Sequence, residues 1–167
     1  MFGNYLENSV ASFPCNDGVK IPYPIRICLD ILEQKEIESE TIYRKSVNKS
    51  QLESICESIN SGKLDSRLEE INTDTNLACA IIKKFLRELK SPLITEDLIN
   101  ALEKCDSSIS DKDSHNKIEH LKKLIAKMPQ SNLDTFSYLI MHFHRFLVKV
   151  KLIILNNKIN FITSSLF

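Results

Sequence analysis

The sequence predicts an all-α protein, a helical bundle, and three observations carry that expectation. Apolar residues recur at i, i+3, i+4 and i+7 in segment after segment, the spacing of one helix face. Capping residues open several of these segments, and Gly or Pro closes them. Period-two alternation, the mark of a strand, is confined to the short stretch Val148-Lys149-Val150-Lys151.

Pro22 and Pro24 precede the first clear helix, in which Ile25, Cys28, Leu29 and Leu32 share a face until the polar run at Gln34. A second helix opens at Ser50-Gln51-Leu52-Glu53, a capping-box pattern in which hydroxyl and carboxylate would each satisfy an orphan backbone donor. Leu52, Ile55, Cys56 and Ile59 form its stripe, and Gly62 is placed to end it. Asp74 or Thr75 can cap the third helix, whose broad face is Leu77, Ala78, Ile81, Ile82, Phe85, Leu86 and Leu89. Lys83, Lys84 and Arg87 stay outside that face, and Pro92 stops the helix.

A fourth helix follows Thr95, with Leu98, Ile99 and Leu102 inward. The Ser/Asp-rich run from Asp106 to Ser114 reads as an exposed loop. A fifth helix carries Ile118, Leu121, Leu124 and Ile125 and stops at Met128-Pro129. The sixth opens at Ser131 and carries Leu133, Phe136, Leu139, Ile140, Phe143 and Leu147. From Lys149 to Thr163, eleven of fifteen residues are Lys, Ile, Asn or Phe. The polar face is lost there, so the expected division is a helical domain over 1–148 and a divergent tail over 149–167.

At 167 residues, with 43% apolar side chains, three Gly and five Pro, the chain suits one domain with a real core. Twenty-two basic residues balance twenty-two acidic ones, which argues against non-specific nucleic-acid binding. The five cysteines (Cys15, Cys28, Cys56, Cys79, Cys105) form no C-x-x-C pair and read as reduced thiols. The start Met1-Phe2-Gly3-Asn4 has neither the basic nor the apolar region of a signal peptide. Phe146 to Leu155, the most apolar stretch, is ten residues with two Lys, too short and charged to span a bilayer. A soluble cytoplasmic protein is the expectation.

No self-contained active site is legible. His115, His120, His142 and His144 include no i, i+4 pair, so they read as solvated or helix-packing rather than metal-binding. No Ser or Cys sits in a glycine-flanked elbow, and three Gly cannot build a phosphate loop. What remains is basic. Arg44 lies between two helices, in a loop that Ile42 and Tyr43 would pin to the core. It reads either as a solvated loop arginine or as a cation held out toward a phosphate, whose oxygens match the guanidinium fork.

Five segments, in order, sharpen this. They are Phe2-Gly3-x-x-Leu6; Ile21-Pro22 with Cys28 and Leu32-Glu33; Thr41-Ile42-Tyr43-Arg44-Lys45-Ser46; Ile82-Lys83-Lys84-Phe85-Leu86-Arg87-Glu88-Leu89-Lys90-Ser91-Pro92-Leu93-Ile94; and Met128-Pro129-x-x-Asn132-x-x-Thr135 with His142-Phe143-x-Arg145. Together they resemble the Rho-family GTPase-activating (RhoGAP) domain from about Phe2 to Leu147. The run from Met128 to Thr135 looks most like the family's Rac-directed branch.

The resemblance implies an all-helical RhoGAP-type fold and a partner, a Rho-family small GTPase (Rho, Rac or Cdc42 type) in its GTP-bound form. It implies that Arg44 is a finger inserted in trans, that Lys83 lies near the GTPase contact and that Arg87 braces the finger loop. The chain is then no enzyme by itself and needs no cofactor; GTP and Mg²⁺ belong to the partner. Thr41 and Val47 replace the two glycines that flank the family's finger, and a β-branched residue at a positive φ would be strained. The family's Asn-Lys-Met segment, whose asparagine helps bind the GTPase, has its echo in Asn157-Lys158-Ile159, further from His142 than the pattern asks. The family's closing helices find no counterpart, so the fold is expected with its last helices missing or altered and with apolar surface left open. Two other readings follow: a degenerate domain that binds a GTPase or another partner without stimulating hydrolysis, and an unrelated helical scaffold.

Overall fold

The computed structural model of the chain describes residues 1–35, 42–106 and 114–164. Among them are eight α-helices and a 3-10 turn, and no strand. In order these are α1 (Leu6–Ser12), α2 (Tyr23–Gln34), α3 (Lys49–Asn60), the turn Asp65–Arg67, α4 (Leu68–Thr73), α5 (Thr75–Glu88), α6 (Glu96–Asp106), α7 (Ser114–Ile125) and α8 (Gln130–Ser164). The chain divides into two compact units, Met1–Tyr23 with Phe85–Ser137, and Pro24–Lys84 with Tyr138–Phe167.

In the first unit, Gly3 takes a positive φ of 68° and turns the N-terminal residues over. Phe2 then meets the fully buried Phe85 edge to face, with ring centroids 6.3 Å apart. The Lys90 amide donates to the Asn4 carbonyl and ties the same segment down. Asn132 Nδ2 donates to the Leu93 carbonyl at 2.8 Å, and Thr135 Oγ1 to the Lys20 carbonyl at 3.2 Å. The Lys20 amide in turn donates to the Asp134 carboxylate at 2.8 Å. The Asn and Thr of the Met-Pro-x-x-Asn-x-x-Thr segment are therefore fastenings for two non-helical stretches of backbone. Buried Thr135 is polar but partnered, as burial demands. α6 and α7 pack against each other.

In the second unit, α2 buries Ile25, Cys28, Leu29 and Leu32, and α3 buries Ile55, Cys56 and Ile59. α3 ends in a Schellman motif, with the Lys63 amide on the Ser58 carbonyl and the Gly62 amide on that of Ile59. Gly62 supplies the positive φ of 73° this requires. Its N-cap is Asn48, not Ser50: Asn48 Oδ1 accepts from the amides of Ser50 and Gln51, and the Ser50 hydroxyl merely donates to it. The expected capping box is absent because the helix starts two residues earlier than it needs. Asn48→Ala is expected to cost about 1 kcal/mol in a denaturant titration, and Ser50→Ala less. Asp74 caps α5, accepting from the Asn76 amide at 2.9 Å.

Several sequence expectations change. Residues 148–151 continue α8 without a break and are not a strand. Ile99, Leu102 and Ile118 are 39%, 43% and 51% exposed rather than inward. Among the described residues of α8 the buried positions are Thr135, Leu139 and His142; of the expected stripe Leu139 is buried, whereas Ile140 and Leu147 are half-exposed. α1, the 3-10 turn and α4 were not expected. Among the described residues no side chain other than Gly has a positive φ, so the strain foreseen at Val47 is not present. Thr41 and most of the Ser/Asp-rich loop (107–113) lie outside the described residues. Cys15, Cys28, Cys56 and Cys79 are buried thiols that form no disulfide among the described residues. No helix among the described residues is long and apolar enough to cross a membrane.

Candidate functional site

The second unit presents one exposed arginine from a tightly held loop. Ile42 is buried and Tyr43 half-buried, while Arg44, Lys45 and Ser46 face solvent. Among the described residues the Arg44 side chain makes no hydrogen bond or ion pair, which leaves its five donors available.

Tyr43 is held by its backbone, hydroxyl and ring. Lys83 Nζ donates to its carbonyl at 3.0 Å. Its hydroxyl lies 2.6 Å from His142 Nε2. Its ring packs edge to face on Phe143 and Phe146, centroids 5.5 and 5.6 Å away. Cys79 and Lys83 stand one turn apart on α5 and so share one helix face, from which Lys83 reaches the carbonyl. Burial pushes the phenol well above its ordinary pKa, and the Cys79 and Glu33 charges add to the shift. The Cys79 thiol is likewise raised by burial to about 12, against the opposing pull of Lys83.

His142 is 2% exposed and carries the network on to α2. Its Nδ1 lies 2.8 Å from Glu33 Oε1, and Arg145 Nη1 reaches the other carboxylate oxygen at 3.2 Å. A carboxylate only accepts, so Nδ1 carries the proton and Nε2 accepts from the Tyr43 hydroxyl. Burial holds the imidazole below its usual pKa of 6.5 and outweighs Glu33, which pulls upward, while Arg145 and Lys149 add to the lowering.

The unfolded chain therefore takes up a proton at 6.5 that the folded protein resists. Stability from this group is complete above pH 6.5 and is lost as pH falls through the lower folded value. Urea titrations across that range should show wild type losing stability on acidification, and His142→Gln losing less.

Of the residues the sequence singled out, Arg44 and Lys83 come together in this unit, with Lys83 directly on the loop. Arg87 is exposed in the last turn of α5, one turn beyond Lys83. Asn157 lies in α8, fifteen residues past His142 and so about 22 Å along the helix axis. Glu33, Tyr43, Cys79 and His142 were not singled out as site residues. The available signal was that Glu33, Tyr43 and His142 each sit in one of the five segments. Among the described residues no three His, Cys, Asp or Glu side chains are grouped to hold a metal ion.

An all-helical domain offering an arginine from a fastened loop is the class of protein that this fold and site define. The RhoGAP domain model matches residues 22–161, and the chain belongs to that family. It is 32% identical over 147 residues to RalA-binding protein 1 of Drosophila melanogaster, covering 86% of this chain and 22% of that protein. It is 30% identical to mouse Rho GTPase-activating protein 23, over 84% of this chain and 9% of the relative. With Rho GTPase-activating protein 35 of the rat it shares 32% identity, over 86% and 9% respectively. The chain thus spans less than a quarter of these relatives' lengths. The crystal structure of human Rho GTPase activating protein 15 superposes with a TM-score of 0.73 at 22% identity, covering 90% of this chain and 68% of that one. That likeness establishes the all-helical RhoGAP fold.

Proposed function

We propose that this chain accelerates GTP hydrolysis by a Rho-family GTPase through Arg44, inserted in trans beside the nucleotide. The observation that supports it most is the exposed Arg44, with no partner among the described residues, directly after the clamped Tyr43. Charge develops on the transferring phosphoryl group, and a guanidinium brought against it without prior ties stabilises that charge. Lys83 keeps the loop in place, and Arg87 adds positive charge further along α5. GTP and Mg²⁺ are the partner's, and the GTP-bound form is the one recognised.

The domain-only reading, binding without stimulated hydrolysis, draws on two observations. Val47 stands where the family pattern has glycine, and Asn157 sits four turns beyond His142 in an unbroken helix. Single-turnover hydrolysis by Rho-, Rac- and Cdc42-type GTPases, with and without this chain, separates the two. Acceleration of one of them by about 10³ or more supports the finger. Folded protein that binds a GTP-loaded GTPase without accelerating it supports the second reading.

A further inference from the structure

We propose that Glu33 and His142 are positioning residues for Arg44, acting through the Tyr43 side chain. The inference rests on the finger reading of Arg44 and adds to it the device that aims the finger. The Tyr43 hydroxyl donates to His142, His142 donates to Glu33, and Arg145 holds the far oxygen of Glu33. Each donor in that chain meets an acceptor, so the relay has one self-consistent proton arrangement. Its far end lies on α2 and its middle on α8, two long helices, whereas its near end is the residue bonded to Arg44. The Lys83 contact fixes the Tyr43 carbonyl, which is the peptide group linking it to Arg44.

With Tyr43 held at both its carbonyl and its hydroxyl, the backbone that carries the arginine has few ways to stray. A loop ordered before the partner arrives spares the complex the cost of ordering it, and a misplaced reacting group is penalised steeply in rate. The polar relay also explains why the buried helix position 142 is not simply apolar: a Leu there would pack, but it could not accept from the tyrosine.

The test uses Tyr43→Phe, which keeps the packed ring, and His142→Leu, with His142→Gln as the conservative variant that retains one acceptor and one donor. Hydrogen exchange of the amides of residues 42–46 in the free chain should quicken in the first two, while those of α2 and the first turns of α8 stay protected. The maximal rate of stimulated hydrolysis should fall about 10- to 100-fold, with half-saturation by the GTPase little changed. His142→Gln should recover most of both. Unchanged loop exchange overturns the inference, and so does a loosened loop with an undiminished maximal rate. Arg44→Ala run alongside keeps the two readings apart: loss there with no loss in the Tyr43 and His142 variants leaves the finger standing and the positioning role refuted.

Discussion

Arg44→Ala is expected to leave the chain folded and still able to bind its GTPase, and to remove nearly all stimulated hydrolysis. The expected loss is about 10³- to 10⁵-fold in the single-turnover rate, or about 4–7 kcal/mol of barrier. Stability should barely change, because the side chain is exposed and has no partner among the described residues. Surface substitutions of that kind usually fall within about 0.5 kcal/mol. Arg44→Lys sharpens the result. It keeps the charge but loses the planar fork that can meet two phosphoryl oxygens at once, so it should recover only a small part of the rate. Undiminished hydrolysis in Arg44→Ala would refute the finger outright. Equal loss of binding and hydrolysis would make Arg44 a contact residue and not a catalytic one.

How much of this was legible beforehand depends on what each residue does. The faces of α2, α3 and α5 were readable because their buried residues are apolar, so hydrophobic spacing and burial coincide. On α8 they do not. Thr135 and His142 occupy buried positions, satisfied by Lys20 and by Glu33 with Tyr43, and a search for apolar spacing passes over both. It settled instead on Ile140 and Leu147, which are half-exposed. The same blindness hid the site's support: Arg44 and Lys83 stand out as cations, whereas Glu33 and His142 matter through partners 109 and 99 residues away in sequence. The strand reading of 148–151 failed for a related reason, since alternation over four residues is too short to outweigh a helix already running through them.

The segment from Ile82 to Ile94 holds a second large effect, of the opposite kind. Phe85 stands between Lys83 and Arg87 in the sequence, yet it is fully buried and packs on Phe2. Phe85→Ala is expected to cost about 3–5 kcal/mol, the sum of lost burial and the cavity left behind. About 0.5–1.5 kcal/mol of that belongs to the edge-to-face contact. Against a total stability of about 5–15 kcal/mol, such a loss places the variant near the edge of folding. A urea titration should show a sharply lower midpoint with an unchanged slope. Phe85→Leu should retain much of what Phe85→Ala loses, because the cavity is smaller. Lys83→Ala provides the contrast within one turn of the same helix: it removes the donor to the Tyr43 carbonyl from a half-buried position and should slow stimulated hydrolysis far more than it shifts the midpoint. A Phe85→Ala loss below about 1 kcal/mol would mean that the first unit closes over the missing ring, and that Phe2 and Phe85 are not the contact on which that unit's N-terminal segment depends.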